Sequence, residues 1–193
     1  MDDIAYVFLD VLEHFDLSNV TVVGFSMGAW IAAEMATKDD SRFAKLVLVD
    51  PLGIKVGGPA DRDIQDMFLL HPDVVSTLKW FDPAKAVRDY TLLPEDELMM
   101  IARNRESFAR FCWEPYMHNP KLKHRLHRIG TPTLLVWGEN DGIVTTAYGA
   151  AYQAAIPGAR LAIVSEAGHL PHIEQPERFM SVLRGFLAKN GGR

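Results

Sequence analysis

The chain has 193 residues, a net charge of −5, and side chains that are 48% apolar and 23% charged, a balance that supports a buried core and excludes a disordered chain or a basic nucleic-acid-binding one. Its single cysteine, Cys112, excludes an internal disulfide framework and a cysteine-based zinc site. No apolar run reaches the roughly 18 residues of a membrane span, and Met1-Asp2-Asp3 does not begin a secretory leader, so the expectation is a cytoplasmic globular protein with no nucleic-acid or membrane partner.

Residues 2–16 space Ile4, Val7, Phe8, Val11, Leu12 and Phe15 along one helical face, with Asp2 and Asp3 in the first turn, where the helix dipole favours them. Val20-Thr21-Val22-Val23 reads as a short buried strand. Residues 27–37 read as a helix whose small residues Gly28, Ala29, Ala32 and Ala33 allow close approach to a sheet. Lys45 to Val49 is a second apolar strand. The rhythm then breaks. Gly53 to Pro59 is a Gly- and Pro-rich loop, and residues 60–128 read as helical and aromatic, interrupted near Pro72, Pro83, Pro94, Pro115 and Pro120. Thr133 to Trp137 and Arg160 to Val164 are a third and a fourth strand, with a helix at 144–156 between them. A last helix opens on Pro176, which suits a first helical turn, and aligns Phe179, Val182, Leu183, Phe186 and Leu187 before Gly191-Gly192 stops it. Strands without polar alternation, separated by helices, predict an α/β fold: a parallel sheet with helices on both faces. The core takes 1–52 and 130–193, and 53–129 is a helical cap or lid inserted over the sheet.

The sharpest local signal is Gly24-Phe25-Ser26-Met27-Gly28, set between a strand and a small-residue helix. Such an abrupt turn strains the central residue and pushes its side chain outward. Both glycines remove side chains that would collide there. The helix N-terminus behind Ser26 leaves free N–H groups, and that of Met27 could stabilise an oxyanion. The bland alternative is a tight turn with an inert serine.

A serine hydroxyl needs a base to take its proton. Of the seven histidines, His169 has the context: it lies in Glu166-Ala167-Gly168-His169-Leu170-Pro171, the loop after the fourth strand. Gly168 lets the chain turn so that the imidazole projects over the C-terminal sheet edge. His172 lies further into the turn. The His169-x-x-His172 and His124-x-x-His127 spacings lack the carboxylates or cysteines that would complete a metal site, so no metal and no cofactor is expected. The base in turn needs a carboxylate to hold its tautomer. Gly138-Glu139-Asn140-Asp141-Gly142 follows the third strand, where ligand sites of open parallel sheets lie. Asp141 is the candidate and Glu139 the runner-up. Asp50 also ends a strand, but Pro51 follows directly, and it reads as a turn carboxylate or an anchor for the insertion.

The chain order Ser26, Asp141, His169 on the loop ends of a parallel sheet resembles the α/β-hydrolase family over essentially the whole chain. The resemblance implies Ser26 as nucleophile, His169 as general base, Asp141 as its orienting acid and Met27 N–H as an oxyanion donor. It implies a serine hydrolase that cleaves a small carboxylic ester through an acyl-enzyme, its substrate carrying an apolar acyl or aromatic part. A carbon–carbon bond hydrolase of the meta-cleavage-product type and a haloperoxidase-like enzyme share this arrangement. Trp80, Phe81, Phe108, Phe111, Trp113, Tyr116 and Met117 are candidates to line the pocket or build the cap core, and Lys121, Lys123, Arg125 and Arg128 read as a solvated helix face. Family members begin with about four further strands and an HG-type loop that gives the second oxyanion N–H. The expectation is therefore an N-terminally truncated form of the fold. Val20 to Val23 then become an edge strand open to self-association, and an inactive fragment is the alternative of another class.

Overall fold

In the computed structural model, which describes residues 1–58, 60–86 and 89–188, the strands lie side by side in chain order. They are β1 (Val20–Phe25), β2 (Phe43–Val49), β3 (Thr133–Gly138) and β4 (Arg160–Val164), and every pairing is parallel. The central strands are apolar on both sides because both sides are covered. Alternate residues of a strand face opposite ways. Leu46, Leu48, Leu135 and Trp137 thus meet α2 (Met27–Lys38) and α6 (Thr146–Ala155), while Val47, Val49, Leu134 and Val136 meet Phe179 and Phe186 of α8 (Pro176–Leu187). Each such side chain contributes about 1.5–3 kcal/mol by leaving water. Trp137 also satisfies its indole N–H on Val144 O at 2.9 Å.

The N-terminal helix is where the pattern misleads. α1 (Asp2–His14) packs on α2 through Met1, Ala5, Leu9 and Leu12. Of the expected apolar face only Leu12 packs inward and Ile4 is half-buried, while Val7, Phe8, Val11 and Phe15 are all exposed. The helix is apolar over more than one stripe, and its neighbour α2 covers only the Ala5-Leu9-Leu12 stripe. β1 is an edge strand, as expected. It half-buries Val20 and Val22 against the core and exposes Thr21, Val23 and Phe25 on the other face, so the strand expected to be buried is covered on one face only.

Between β2 and β3 the described residues form α3 (Pro72–Lys79), α4 (Glu95–Cys112), α5 (Leu122–Arg125) and short 3₁₀ turns. Prolines set the starts: Pro72 opens α3 and Pro94 precedes α4. Glu34 of α2, fully buried, binds this segment by accepting from Asn119 Nδ2 at 2.7 Å, with Lys38 Nζ at 3.0 Å as its counter-ion. The short α7 (Pro171–Glu174) leads into α8. Pro59 of the expected loop and the Gly191-Gly192 stop lie outside the described residues. Among the described residues no helix is long and apolar enough to cross a membrane.

Candidate active site

Ser26 stands where β1 turns into α2, with φ 50° and ψ −115°, a backbone region that non-glycine residues rarely occupy. The turn is held from both sides. Ser26 N–H donates to Val49 O at 2.8 Å, and Ser26 O accepts from Trp30 N–H at 3.1 Å. Gly24 is required by packing, since a Cβ there would sit 2.5 Å from Gly28 O and 2.6 Å from Ala29 Cα. Gly28 departs from expectation. A Cβ at that position meets nothing within 4 Å, so it is open space above the turn, and no collision, that this glycine provides. Met27 is the first residue of α2, and its N–H has no acceptor within the helix.

His169 and Asp141 converge on this serine from the loops after β4 and β3. His169 Nε2 lies 2.7 Å from Ser26 Oγ, and its Nδ1 lies 2.7 Å from Asp141 Oδ2. With Nδ1–H donating to the carboxylate, Nε2 presents its lone pair to the serine hydroxyl. Asp141 is fixed in turn: its Oδ1 accepts from Ile143 N–H at 2.8 Å and Val144 N–H at 3.1 Å. Asp141 and His169 are each 5% exposed. Glu139 is exposed and takes no part.

The loop carrying His169 is clamped by contacts that sequence reasoning missed. His169 N–H donates to Lys79 O at 2.8 Å, at the end of α3. Gly168 is glycine because a Cβ would lie 2.4 Å from that same carbonyl, so close approach of α3 sets this position. Glu174, buried in α7, accepts from Gly168 N–H at 2.6 Å, Phe81 N–H at 3.2 Å and Asp82 N–H at 3.1 Å. One carboxylate thereby ties the histidine loop to the segment after α3. Nothing local in Pro171-His172-Ile173-Glu174 marks it, because two of its three donors lie more than 90 residues away. It is His169, and not His172, that bonds Ser26 Oγ. The His172 ring lies tilted against Phe25, centroids 4.3 Å apart, and burial, then nearby His169 and Lys79, hold its pKa below the ordinary imidazole value. Asp50 does not anchor the insertion. Its Oδ1 accepts from Gly138 N–H at 3.0 Å, beneath the Asp141 loop.

The aromatic residues of 53–129 divide. Met117 is buried in the core, while Phe81, Phe111 and Trp113 are exposed. Phe68, absent from the sequence candidates, gathers Phe108, Trp113 and Tyr116 in edge and tilted contacts. A cleft of about 390 Å³ lies between Trp113, Tyr116, Met117, Lys55 and Asp63, and none of Ser26, Asp141 and His169 lines it. In the basic run Lys121 and Arg128 are exposed and Lys123 and Arg125 half-buried, and Arg125 and Arg128 border an open surface cleft with Lys38 and Asp2. The Cys112 thiol is fully buried, which pushes its pKa up to about 12 and leaves it unreactive.

Residues 1–182 match the family model described as "Alpha/beta hydrolase family". The chain belongs to that family. It is 24% identical over 214 residues to the biotin biosynthesis bifunctional protein BioHC of Teredinibacter turnerae, covering all of this chain and 37% of that protein. It is 26% identical over 198 residues to a 2-hydroxy-6-oxononadienedioate/2-hydroxy-6-oxononatrienedioate hydrolase of Paraburkholderia phymatum, covering 96% of this chain and 68% of that one. The chain thus spans between about a third and about two thirds of the length of these curated relatives. Its fold matches a crystallised mutant of the meta-cleavage product hydrolase CumD from Pseudomonas fluorescens IP01 with a TM-score of 0.70 at 17% identity, over 93% of this chain and 68% of that one.

Proposed function

We propose that the chain is a serine hydrolase in which Ser26, His169 and Asp141 act as a catalytic triad. The observation that carries the reading is the unbroken hydrogen-bonded line from Asp141 Oδ2 through His169 to Ser26 Oγ, with the serine strained at a helix N-terminus. Ser26 Oγ attacks the acyl carbon as His169 Nε2 takes its proton. Asp141 stabilises the imidazolium, and Met27 N–H donates to the oxyanion. His169 then protonates the leaving alcohol, and a water deprotonated by the same imidazole releases the acid from Ser26. The substrate class is a small carboxylic ester with an apolar acyl or aromatic part. Residues 53–129 serve as the cap, with α3 meeting the Asp141 loop through the 2.9 Å bond from Gly142 N–H to Leu78 O.

A second reading, cleavage of a carbon–carbon bond in a dienoate, is favoured by one of the relatives named above, the 2-hydroxy-6-oxononadienedioate/2-hydroxy-6-oxononatrienedioate hydrolase. The experiment is labelling with a fluorophosphonate probe, paired with turnover of p-nitrophenyl esters of rising chain length and of a dienoate. Labelling is expected to vanish in Ser26→Ala and persist in Ser165→Ala, an exposed serine that bonds Arg178 instead. Labelling that survives Ser26→Ala overturns the assignment, and the preferred substrate decides between the two bonds.

A further inference from the structure

Asp50 ends β2 fully buried, with φ 43°, a strained position for a residue with a Cβ. Both of its ends are tied to β3: its N–H donates to Val136 O at 3.0 Å, and Oδ1 accepts from Gly138 N–H at 3.0 Å. Oδ2 meets no N–H or hydroxyl donor among the described residues. Gly138, whose N–H Asp50 accepts, takes the N–H of Asp141 on its own carbonyl at 3.2 Å, so one residue of β3 holds both acids and the orphaned Oδ2 lies under the Asp141 loop. Two carboxylates do not both ionise in so dry a place, and one keeps a proton. The donors decide which. Asp141 receives N–H groups from Ile143, Val144 and His169, whereas Asp50 receives the Gly138 N–H. Donated hydrogen bonds favour the ionised form, so the charge settles on Asp141.

We propose that Asp50 is a positioning residue that keeps its proton and donates from Oδ2 to the Asp141 carboxylate, locking that carboxylate toward His169. Burial, then the Asp141 charge, pushes the Asp50 carboxyl well above its ordinary range, in line with this placement. The strained turn at Asp50 is what brings its carboxyl under the β3 loop. The proposal rests on the reading of Asp141 as the acid behind His169.

The experiment compares the protein with Asp50→Asn and Asp50→Ala, using two readouts. The first is independent of turnover: infrared difference spectra at pH 7, Asp50→Asn against the unmodified protein. A protonated carboxylic-acid band that is lost in Asp50→Asn is expected, and its absence from the unmodified protein overturns the proposal. The second is ester turnover. Asparagine can donate to Asp141 and still accept from Gly138 N–H, so Asp50→Asn is expected to keep kcat within about threefold. Asp50→Ala loses the bond to a charged group and is expected to lower kcat by about tenfold or more with KM unchanged. Equal loss in both variants, or a loss confined to KM, overturns the positioning role. If Asp50→Ala fails to fold, the infrared band and the Asp50→Asn rate still decide. If the unmodified protein shows the band but Ser26 takes no probe and no substrate turns over, it is the hydrolase reading that fails and the shared proton that stands.

Discussion

At the scale of single residues, what distinguishes Asp141 from Glu139 is burial and bonding. Both follow β3 within three positions, yet only Asp141 folds back to collect two backbone N–H groups and the imidazole. Asp141→Asn, which leaves the wrong histidine tautomer, is expected to lower kcat by about 10⁴-fold. Glu139→Gln, at an exposed position, is expected to change it by less than about threefold, within the effect of an ordinary surface substitution. Ester kinetics on both variants check the ranking, and the reverse order would hand the role to Glu139. Asp50 carries a second expectation, in stability. Its folded pKa is raised, so the folded chain holds a proton that the unfolded chain releases near the ordinary value of 3.8. The contribution is fully present below that value and is lost as pH rises, at about 1.4 kcal/mol per pH unit until the folded pKa is reached. Asp50→Asn has no such loss. Relative to the unmodified protein its stability should therefore grow from pH 4 to pH 8, read by denaturant unfolding at each pH. A difference that shrinks with pH would mean that Asp50 is ionised in the fold beside Asp141 and His169.

At the scale of elements, Glu174 shows how the site is held. Its carboxylate is the common acceptor for Gly168, Phe81 and Asp82, so α7, the histidine loop and the segment after α3 meet on one side chain. Glu174→Ala strands three backbone donors around a buried site and is expected to cost about 3 kcal/mol. For a chain of this size that corresponds to a fall in Tm of roughly 6–12 °C. Ester turnover should fall with it, because the imidazole loses its fixed approach to Ser26. Thermal unfolding and kcat measured together check this, and an unchanged Tm would show that the clamp carries no strain of assembly. The same contrast explains what could be read from sequence. The strands, the helices flanking them and the serine turn are local patterns of period, small residues and glycine, and they lie within two residues of the expected places. The clamp was not legible, because its partners are brought together only when the 53–129 segment folds over the sheet. Nor was Asp50, whose Pro51 neighbour suggests a turn and whose relation to Asp141 spans the long crossover from β2 to β3. Gly28 and Gly168 stand out in the sequence as turn glycines, yet what their packing uses is open space in one case and the approach of α3 in the other.

At the scale of the whole molecule, the unmatched surface lies along β1 and α1. Ser26 N–H bonds Val49 O, and in a parallel pair alternate residues face the same neighbour. Gly24 and Val22 therefore turn their backbone groups to β2, while Thr21, Val23 and Phe25 turn theirs to the open edge. Val23 and Phe25 also expose apolar side chains there, 39% and 37%, and the outer face of α1 adds Val7, Phe8, Val11 and Phe15. β1 carries none of the lysines, prolines or inward charges that ordinarily blunt an edge. A row of free donors and acceptors beside an apolar surface invites another strand, and a second copy of the same edge supplies one in antiparallel register. The 193-residue chain at micromolar concentration is thus expected to elute above its monomer size, increasingly so with concentration. Val23→Lys places a charge on the exposed edge face without touching the core and should shift elution toward the monomer. Size-exclusion chromatography with light scattering checks both. A chain that stays monomeric at every concentration would show that the twist of β1 and the acidic residues of α1, Asp2, Asp3, Asp10 and Glu13, repel a second copy more strongly than the open edge attracts it.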